Sequence, residues 1–302
     1  PRTEGAMEEF FKKIPRRRVY ELTGIQFLQF NSLFQLFSMK RDNSPLLKAA
    51  SDLLFMPDLF NYLFTGQKKT EFTFATTSQL YNPRQQDWDD ELFAALGVSK
   101  SIMQEIVKPG TPIGILNQAV RGETGMSEVP VVAVASHDTG SAVAAVPAQG
   151  EDWAYISSGT WSLVGVEVKQ PVINDQALDL NFTNEGGIQG TFRFLKNIVG
   201  LWPLQECRRA WASKRPYTYD ELTEMATSAQ PFQSLVDFDW PGFLNPPDMP
   251  EAIRRYCKKT GQKVPESEAE FVRSVLESLA VKYRLTLDQL KQISPHPLRR
   301  IH

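Results

Sequence analysis

The chain has 302 residues, of which 42% are hydrophobic and 23% are charged, and its formal net charge is -2. This is the composition of an ordinary globular protein with room for about two domains. The nearly balanced charge excludes a general attraction to nucleic acid. The apolar run from Val129 to Ala135 contains Pro130 and is far shorter than the ~20 residues that cross a bilayer. We therefore expect neither nucleic acid nor a membrane as a partner.

Cysteine and histidine are scarce. The two cysteines, Cys207 and Cys257, lack the Cys-x-x-Cys spacing of a zinc site and form no disulfide framework. A cytoplasmic setting is the simplest expectation. The three histidines, His137, His296 and His302, argue against a multi-histidine metal site, and we assign no metal ligand.

Helices are predicted for most of the first half. Gln26 to Met39 is rich in Phe and Leu, which indicates a core helix. In Leu53 to Gly66, a proline starts a helix and a glycine stops it. Asp87 to Asp90 is expected to cap a further helix through Leu92 to Leu96.

The segment Val131 to Ala135 predicts a buried β-strand that ends at His137 and Asp138. Open α/β sheets place ligand crevices at the carboxyl ends of their strands. Aspartate is ordinarily ionised at neutral pH, so Asp138 could accept a proton from a substrate hydroxyl. Alternatively, Asp138 simply caps the helix predicted from the small apolar residues Ser141 to Val146.

The second half is predicted to open with a β-hairpin, Trp153 to Ile156 and Leu163 to Val168. Between its strands lies the turn Ser157 to Ser162, whose hydroxyls and N–H groups around Gly159 could cradle a phosphate. The alternative is an ordinary hairpin turn. The long helix that Pro265 and Glu266 start carries one apolar face.

Two polar segments lie between these elements. Asn184 to Gly187 is typical of a structural turn. Lys196 and Asn197 precede an apolar run, where they could cap a helix or face a ligand.

Several segments, taken in this order, resemble the FGGY carbohydrate kinases over nearly the whole chain. They are Thr23 to Phe27, Met56 to Asp58, Ala75 to Leu80, Ala135 to Thr139, Tyr155 to Ser162, Thr183 to Gly187, and Leu195 to Trp202 followed by Gln205.

The resemblance implies an α/β fold with two actin-like (ribonuclease-H-like) ATPase domains. Residues 1–149 would be the C-terminal part of the sugar-binding N-terminal domain. Residues 150–302 would be the N-terminal part of the ATP-binding C-terminal domain. The family's first phosphate-binding loop would precede Pro1 and its glycine-rich adenosine-binding segment would follow His302, so both domains are expected to be incomplete here.

The resemblance also implies a reaction: transfer of the γ-phosphoryl group of ATP, with Mg²⁺, to the 1-hydroxyl of L-rhamnulose. Asp138 matches the catalytic base, and His137, Asp138 and Thr139 match the sugar-binding segment. Asn197 matches a further sugar contact. Three residues match the ATP-binding positions: Gly159, Thr160 and Gln205.

Two alternatives stay open, and one feature departs from the family. The acceptor could be another ketose such as L-fuculose, or the chain could be a sugar-binding relative without activity. Some relatives have a cysteine pair, but here Ser274 occupies the position of the likely partner of Cys257, so we expect no disulfide.

Overall fold

The computed structural model describes residues 2–302, which form fourteen α-helices and eleven β-strands. The helices are α1 Ala6–Phe10, α2 Arg16–Thr23, α3 Ser32–Arg41, α4 Pro45–Ala49, α5 Met56–Thr65, α6 Phe72–Thr77, α7 Asp90–Leu96, α8 Gln118–Thr124, α9 Asp138–Ala144, α10 Asp175–Asp179, α11 Trp202–Trp211, α12 Tyr219–Ser228, α13 Met249–Thr260 and α14 Glu268–Ile293. The strands are β1 Thr70–Glu71, β2 Tyr81–Asn82, β3 Asp87–Trp88, β4 Ile106–Val107, β5 Pro112–Ile115, β6 Pro130–Val132, β7 Trp153–Ser158, β8 Trp161–Val168, β9 Thr183–Gly186, β10 Phe192–Val199 and β11 Arg300–Ile301.

Local signals in the sequence set the ends of several helices. Helix α5 has a proline in its first turn, and Gly66 ends it in the left-handed conformation. The Asp89 side chain accepts from the Leu92 N–H at the start of α7. Ser267 and Glu270 form a capping box that starts the long helix α14. The helices predicted in these three places are therefore confirmed, although α14 begins at Glu268 and not at the predicted Pro265 and Glu266.

The structured chain divides into two compact units. The first contains the chain up to Ala154, Gly165–Lys196 and Pro295–His302, and the second contains Tyr155–Val164 and Asn197–Ser294. A five-stranded sheet has the order β11-β7-β8-β10-β9. The predicted hairpin is confirmed, since β7 and β8 are neighbours joined by Gly159 and Thr160.

Helix α6 of the first unit packs closely on strand β9. A Cβ on Gly186 would lie 2.7 Å from the Phe72 ring, so only glycine allows this approach. The Gly186 N–H donates to the Thr76 hydroxyl across 2.8 Å. Strand β9 pairs antiparallel with β10, with Glu185 opposite Arg193. These contacts bring two charged residues of the sheet beside the start of α6.

The second unit has its core among helices α11 to α14. The two cysteines, Cys207 and Cys257, are both buried there as free thiols. Burial raises the pKa of both thiols. The aromatic part of this core includes Trp211, Phe243 and Phe271.

The predicted strand before His137 is shorter and less buried than expected. Strand β6 covers only Pro130–Val132, and within residues 2–302 its only sheet neighbour is β5. Val132 and Val134 are 43% and 64% exposed. The chain leaves the ladder because the Ser136 N–H donates to the Glu71 carboxylate and not to a strand.

Three further predictions are corrected. Asn184 to Gly187 is not a loop turn, because Thr183–Gly186 is the buried strand β9. Asn197 does not cap a helix, because it lies near the end of β10 and the next helix begins at Trp202. The core helix begins at Ser32, because the Asn31 side chain donates to the Gln26 carbonyl and holds the preceding segment irregular.

Candidate active site

A buried glutamate, Glu71, organises the start of the site in the first unit. Its carboxylate accepts from the Thr73 N–H at 2.9 Å and the Thr73 hydroxyl at 2.5 Å. It also accepts from the Ser136 N–H at 3.0 Å and the Ser136 hydroxyl at 2.7 Å. Glu71 has no exposed surface, so these bonds compensate for its lost hydration. One side chain thus joins α6 to the segment that precedes α9.

His137 is held between this segment and the sheet. The backbone N–H of His137 donates to the Thr73 hydroxyl across 3.1 Å. Its ring nitrogen Nδ1 lies 3.0 Å from Arg193 Nη2 and 3.6 Å from Glu185 Oε2. Burial lowers the pKa of His137, although the negative charge of Glu185 opposes this shift. His137 is therefore a neutral imidazole at pH 7.

Asp138 is the first residue of α9, and its side chain is 95% exposed. Its Oδ1 accepts from the Thr139 N–H at 2.6 Å and lies 3.9 Å from His137 Nε2. His137 occupies the N-cap position, so Asp138 is not the capping residue in that sense. A carboxylate at a helix start is favoured by the helix dipole. The carboxylate is thus oriented by the backbone yet open to a ligand.

The turn between β7 and β8 rests on the start of α11 in the second unit. The Leu201 N–H donates to the Gly159 carbonyl, and the Trp202 N–H donates to the Thr160 carbonyl. The Gln205 amide donates to the Thr160 hydroxyl at 3.1 Å. Two of the predicted nucleotide-site residues, Thr160 and Gln205, are therefore in contact.

The turn offers fewer backbone donors than the sequence predicts. The Gly159 N–H already donates to the Trp161 carbonyl at 2.9 Å. Thr160 is exposed at the tip, whereas Gly159 is half-buried, and a Cβ added to Gly159 would meet only the Trp161 carbonyl at 3.5 Å. The turn therefore presents a hydroxyl and an amide side chain beside a glycine.

A hydroxyl cluster supports the turn from behind. The Tyr283 hydroxyl of α14 lies 2.7 Å from Ser162 Oγ and 3.1 Å from Ser158 Oγ. Ser162 is buried, so its hydroxyl needs this partner. The long helix thereby fixes both strands of the hairpin next to Gly159 and Thr160.

Gly200 should tolerate no side chain. An added Cβ would lie 2.4 Å from the Gly159 carbonyl oxygen and 2.5 Å from Ser162 Oγ. We expect Gly200→Ala to reduce the free energy of unfolding by about 1–3 kcal/mol, as overpacking does. Gly122→Ala is the control, because its Cβ would meet nothing within 4 Å in helix α8. The melting temperature should fall for Gly200→Ala and not for Gly122→Ala. Equal melting temperatures of the two variants would contradict the close approach of Gly200 to the Gly159 carbonyl.

The structure places the predicted site residues in two groups. His137, Asp138 and Thr139 lie in the first unit, and the others lie in the second: Gly159, Thr160, Asn197 and Gln205. Thr139 is buried, with its N–H and hydroxyl against Asp138 Oδ1. Asn197 is half-buried on β10.

Sequence reasoning missed Glu71, Glu185 and Arg193. One signal was available for Arg193, since it is the single charged residue in the apolar run Phe192-Arg193-Phe194-Leu195. A charged side chain in an otherwise apolar strand is buried only when it has partners. Glu71 and Glu185 carry no comparable signal, because acidic residues next to Thr or Asn are usually at the surface.

Family models match almost the whole chain in two consecutive parts. The N-terminal domain of the FGGY family of carbohydrate kinases matches residues 1–145, and its C-terminal domain matches residues 154–302. The chain belongs to the FGGY family of carbohydrate kinases. The resemblance inferred from the separate segments is thereby confirmed.

Curated relatives agree with this family. A rhamnulokinase of Bacteroides thetaiotaomicron is 49% identical over 302 residues, which is 100% of this chain and 62% of that protein. A rhamnulokinase of Oceanobacillus iheyensis is 44% identical over 97% of this chain and 61% of that protein. The chain thus spans about three fifths of the length of these FGGY relatives.

Solved structures share the fold at low sequence identity. A ligand-bound xylulose kinase from Lactobacillus acidophilus has a TM-score of 0.76 and 16% identity, over 99% of this chain and 60% of that one. A Plasmodium falciparum glycerol kinase with ADP has a TM-score of 0.70 and 13% identity, over 100% of this chain and 61% of that one. The predicted α/β fold with actin-like domains is confirmed.

Residues 2–302 contain neither a membrane-spanning helix nor a cluster of metal-binding side chains. None of the helices in this part of the chain combines the length and hydropathy needed to cross a membrane. Within the same residues, no group of three or more His, Cys, Asp or Glu side chains is arranged to hold a metal ion.

Proposed function

We propose that the protein transfers the γ-phosphoryl group of ATP to the 1-hydroxyl of L-rhamnulose. The observation that carries this proposal is the exposed Asp138 carboxylate beside a neutral His137. The similarity to two proteins named rhamnulokinase supports this choice of acceptor. The alternative acceptor, L-fuculose, is not favoured by these similarities.

Asp138 acts as the general base in this proposal. Its carboxylate takes the proton of the 1-hydroxyl as that oxygen attacks the γ-phosphorus, and the bond from the γ-phosphorus to the β-phosphate oxygen breaks to release ADP. The proton then passes from Asp138 to water. Because phosphoryl transfer depends mainly on positioning and charge, an oriented and accessible carboxylate is what the step requires. Thr139 orients Asp138 through its N–H and hydroxyl.

The β7–β8 turn is our candidate for contact with the ATP phosphates. The residues present fit phosphate, because the Thr160 hydroxyl is exposed and held by Gln205, and Gly159 has no side chain to keep a phosphate away. Mg²⁺ would enter with the nucleotide and neutralise phosphate charge, since this ion is commonly held by phosphates and water. We assign no protein ligand to it.

Two assignments complete the proposal. Residues 1–149 would belong to the sugar-binding domain, and residues 150–302 would belong to the ATP-binding domain, with Asn197 as a further sugar contact. A cytoplasmic location accords with the two buried free thiols, Cys207 and Cys257.

The decisive experiment measures Mg²⁺-dependent ADP release by the full-length protein as encoded. L-rhamnulose, L-fuculose, D-xylulose and glycerol are compared as acceptors. We expect the highest kcat/KM with L-rhamnulose, by at least about tenfold, and a 1-phosphate product by ³¹P NMR. Equal or higher kcat/KM with another ketose would replace the acceptor. Sugar binding by calorimetry without any turnover would identify a non-catalytic relative.

Gly159→Ala tests the nucleotide assignment in the same assay. The added Cβ would be 3.5 Å from the Trp161 carbonyl, an ordinary contact, so the melting temperature should not change. A phosphate that approaches the turn would clash, and KM for ATP should rise at least about tenfold, equivalent to ~1.4 kcal/mol. KM for the sugar should stay constant. An unchanged KM for ATP would remove the turn from the nucleotide site.

A further inference from the structure

A buried ion pair in the sheet contacts the ring of His137. Arg193 on β10 and Glu185 on β9 are opposite one another in register, and Arg193 Nη2 lies 3.2 Å from Glu185 Oε2. Arg193 has no exposed surface, and its Nε donates to the Gly186 carbonyl at 2.9 Å. These two contacts orient the guanidinium, whose Nη2 then lies 3.0 Å from His137 Nδ1.

The chemistry of this contact determines the tautomer of His137. A guanidinium has five N–H donors and no acceptor, so His137 Nδ1 must accept the hydrogen bond from Arg193. A neutral imidazole with an accepting Nδ1 carries its proton on Nε2. Burial and the positive charge of Arg193 both lower the pKa of His137. The ring is therefore neutral, with Nε2–H as its only donor.

The Nε2–H group points to the same region as the candidate base. His137 Nε2 is 3.9 Å from Asp138 Oδ1, too far for a hydrogen bond, and that contact does not engage the proton. A donor and an acceptor thus stand side by side. This pair matches an acceptor molecule with oxygens on adjacent carbons, in which one oxygen accepts from His137 and the other is a hydroxyl that donates to Asp138.

We propose that Arg193, oriented by Glu185, is a positioning residue that holds His137 in the Nε2–H tautomer. His137 then donates to the acceptor oxygen next to the hydroxyl that Asp138 deprotonates. The proposal rests on the proposed function, because it assigns how that same site selects its acceptor. Arg193 itself does not touch the acceptor.

The tautomer is measured directly by NMR of the full-length protein with ¹⁵N-labelled histidine. The 302 residues contribute three histidine signals, and His137→Gln identifies the signal of His137 by its loss. We expect Nδ1 to be unprotonated and Nε2 to be protonated at pH 7, with titration below the ordinary value of 6.5. An Nδ1–H tautomer, or a charged ring at pH 7, would overturn the proposal.

The charged groups near the ring determine how this titration is interpreted. Glu185, Asp138 and Glu71 favour the protonated ring, whereas Arg193 and burial oppose it. The net result places the expected titration of the unaltered protein below 6.5.

The variants must avoid leaving a buried charge alone. Removing only Arg193 would leave Glu185 as an uncompensated buried charge, which is strongly destabilising. We therefore pair Arg193→Met with Glu185→Gln, and use Arg193→Lys as the conservative variant. The paired variant should lose the single tautomer and raise KM for the sugar about tenfold, with kcat and KM for ATP within about threefold. Arg193→Lys should restore part of the sugar affinity.

The outcomes separate this proposal from the proposed function. A single Nε2–H tautomer and an unchanged sugar KM in the folded paired variant would overturn the role of Arg193. If the paired variant shows no cooperative melt, the NMR measurement on the unaltered protein still decides the tautomer. The expected tautomer together with no turnover on any acceptor would reject the kinase function, and with it any role of His137 in catalysis.

Discussion

Asp138→Asn should lower kcat by a factor of ~10² to 10⁴ and leave the fold intact. The lower and upper limits are those of a typical general base. The asparagine keeps an oxygen for the Thr139 N–H but cannot take the proton of the acceptor hydroxyl. Because the side chain is 95% exposed, the loss of its charge at the helix start should cost at most ~1 kcal/mol of stability. ADP release and thermal melting measure the two effects.

Asp220→Asn is the matched control for this experiment. Asp220 is also an exposed acidic residue in the first turn of a helix, α12, so the chemical change is the same and both residues lie in a first turn. Its kcat should equal that of the unaltered protein. If Asp138→Asn retains more than about a tenth of the activity, another group must remove the proton.

The free energy of unfolding of Asp58→Asn, measured against that of the unaltered chain, should be markedly more favourable at pH 8 than at pH 5. Asp58 is buried, and burial raises its pKa from 3.8 to about 7. The folded state therefore binds a proton that the unfolded state has already released above pH 3.8. The contribution of Asp58 to stability is therefore greatest below pH 3.8 and declines as pH rises towards about 7. The asparagine does not titrate, so this decline should disappear.

The size of this effect follows from the pKa shift. Each pH unit between the two pKa values changes the free energy of unfolding by about 1.4 kcal/mol. From pH 5 to pH 8, the stability of Asp58→Asn should therefore gain about 3 kcal/mol on the unaltered chain. Urea unfolding at four pH values measures this difference. A difference that is constant with pH would mean that Asp58 is ionised in the folded protein throughout.

Asp58 also connects stability to the site. Its Oδ1 accepts from the Glu71 N–H at 3.0 Å, and Glu71 in turn holds Ser136 and Thr73. The asparagine retains an oxygen for this bond, so kcat should change little. The Asp58→Asn variant therefore separates the pH dependence of folding stability from the pH dependence of kcat.

The sequence by itself determined the parts of this protein that depend on neighbouring residues. The hairpin turn at Gly159 and Thr160 was predictable because it requires only residues close in the chain. The capping box of Ser267 and Glu270 is equally local, but the prediction placed the start of this helix at Pro265 and Glu266. The order of the motif segments along the chain also indicated the FGGY family. Asp138 and His137 were selected as candidate site residues on the same grounds, and their roles stay predictions.

Tertiary structure alone decided which charges are buried and what they contact. Arg193 meets His137 from 56 residues away, and Ser136 meets Glu71 from 65 residues away. No local pattern encodes such pairs, because burial and partners depend on how distant segments pack. The same cause explains the wrong turn at Asn184 to Gly187, where contact with α6 made a polar segment a buried strand. Local chemistry thus specified the ends of the elements, whereas packing specified the contact of His137 with Arg193 and the burial of Asp58.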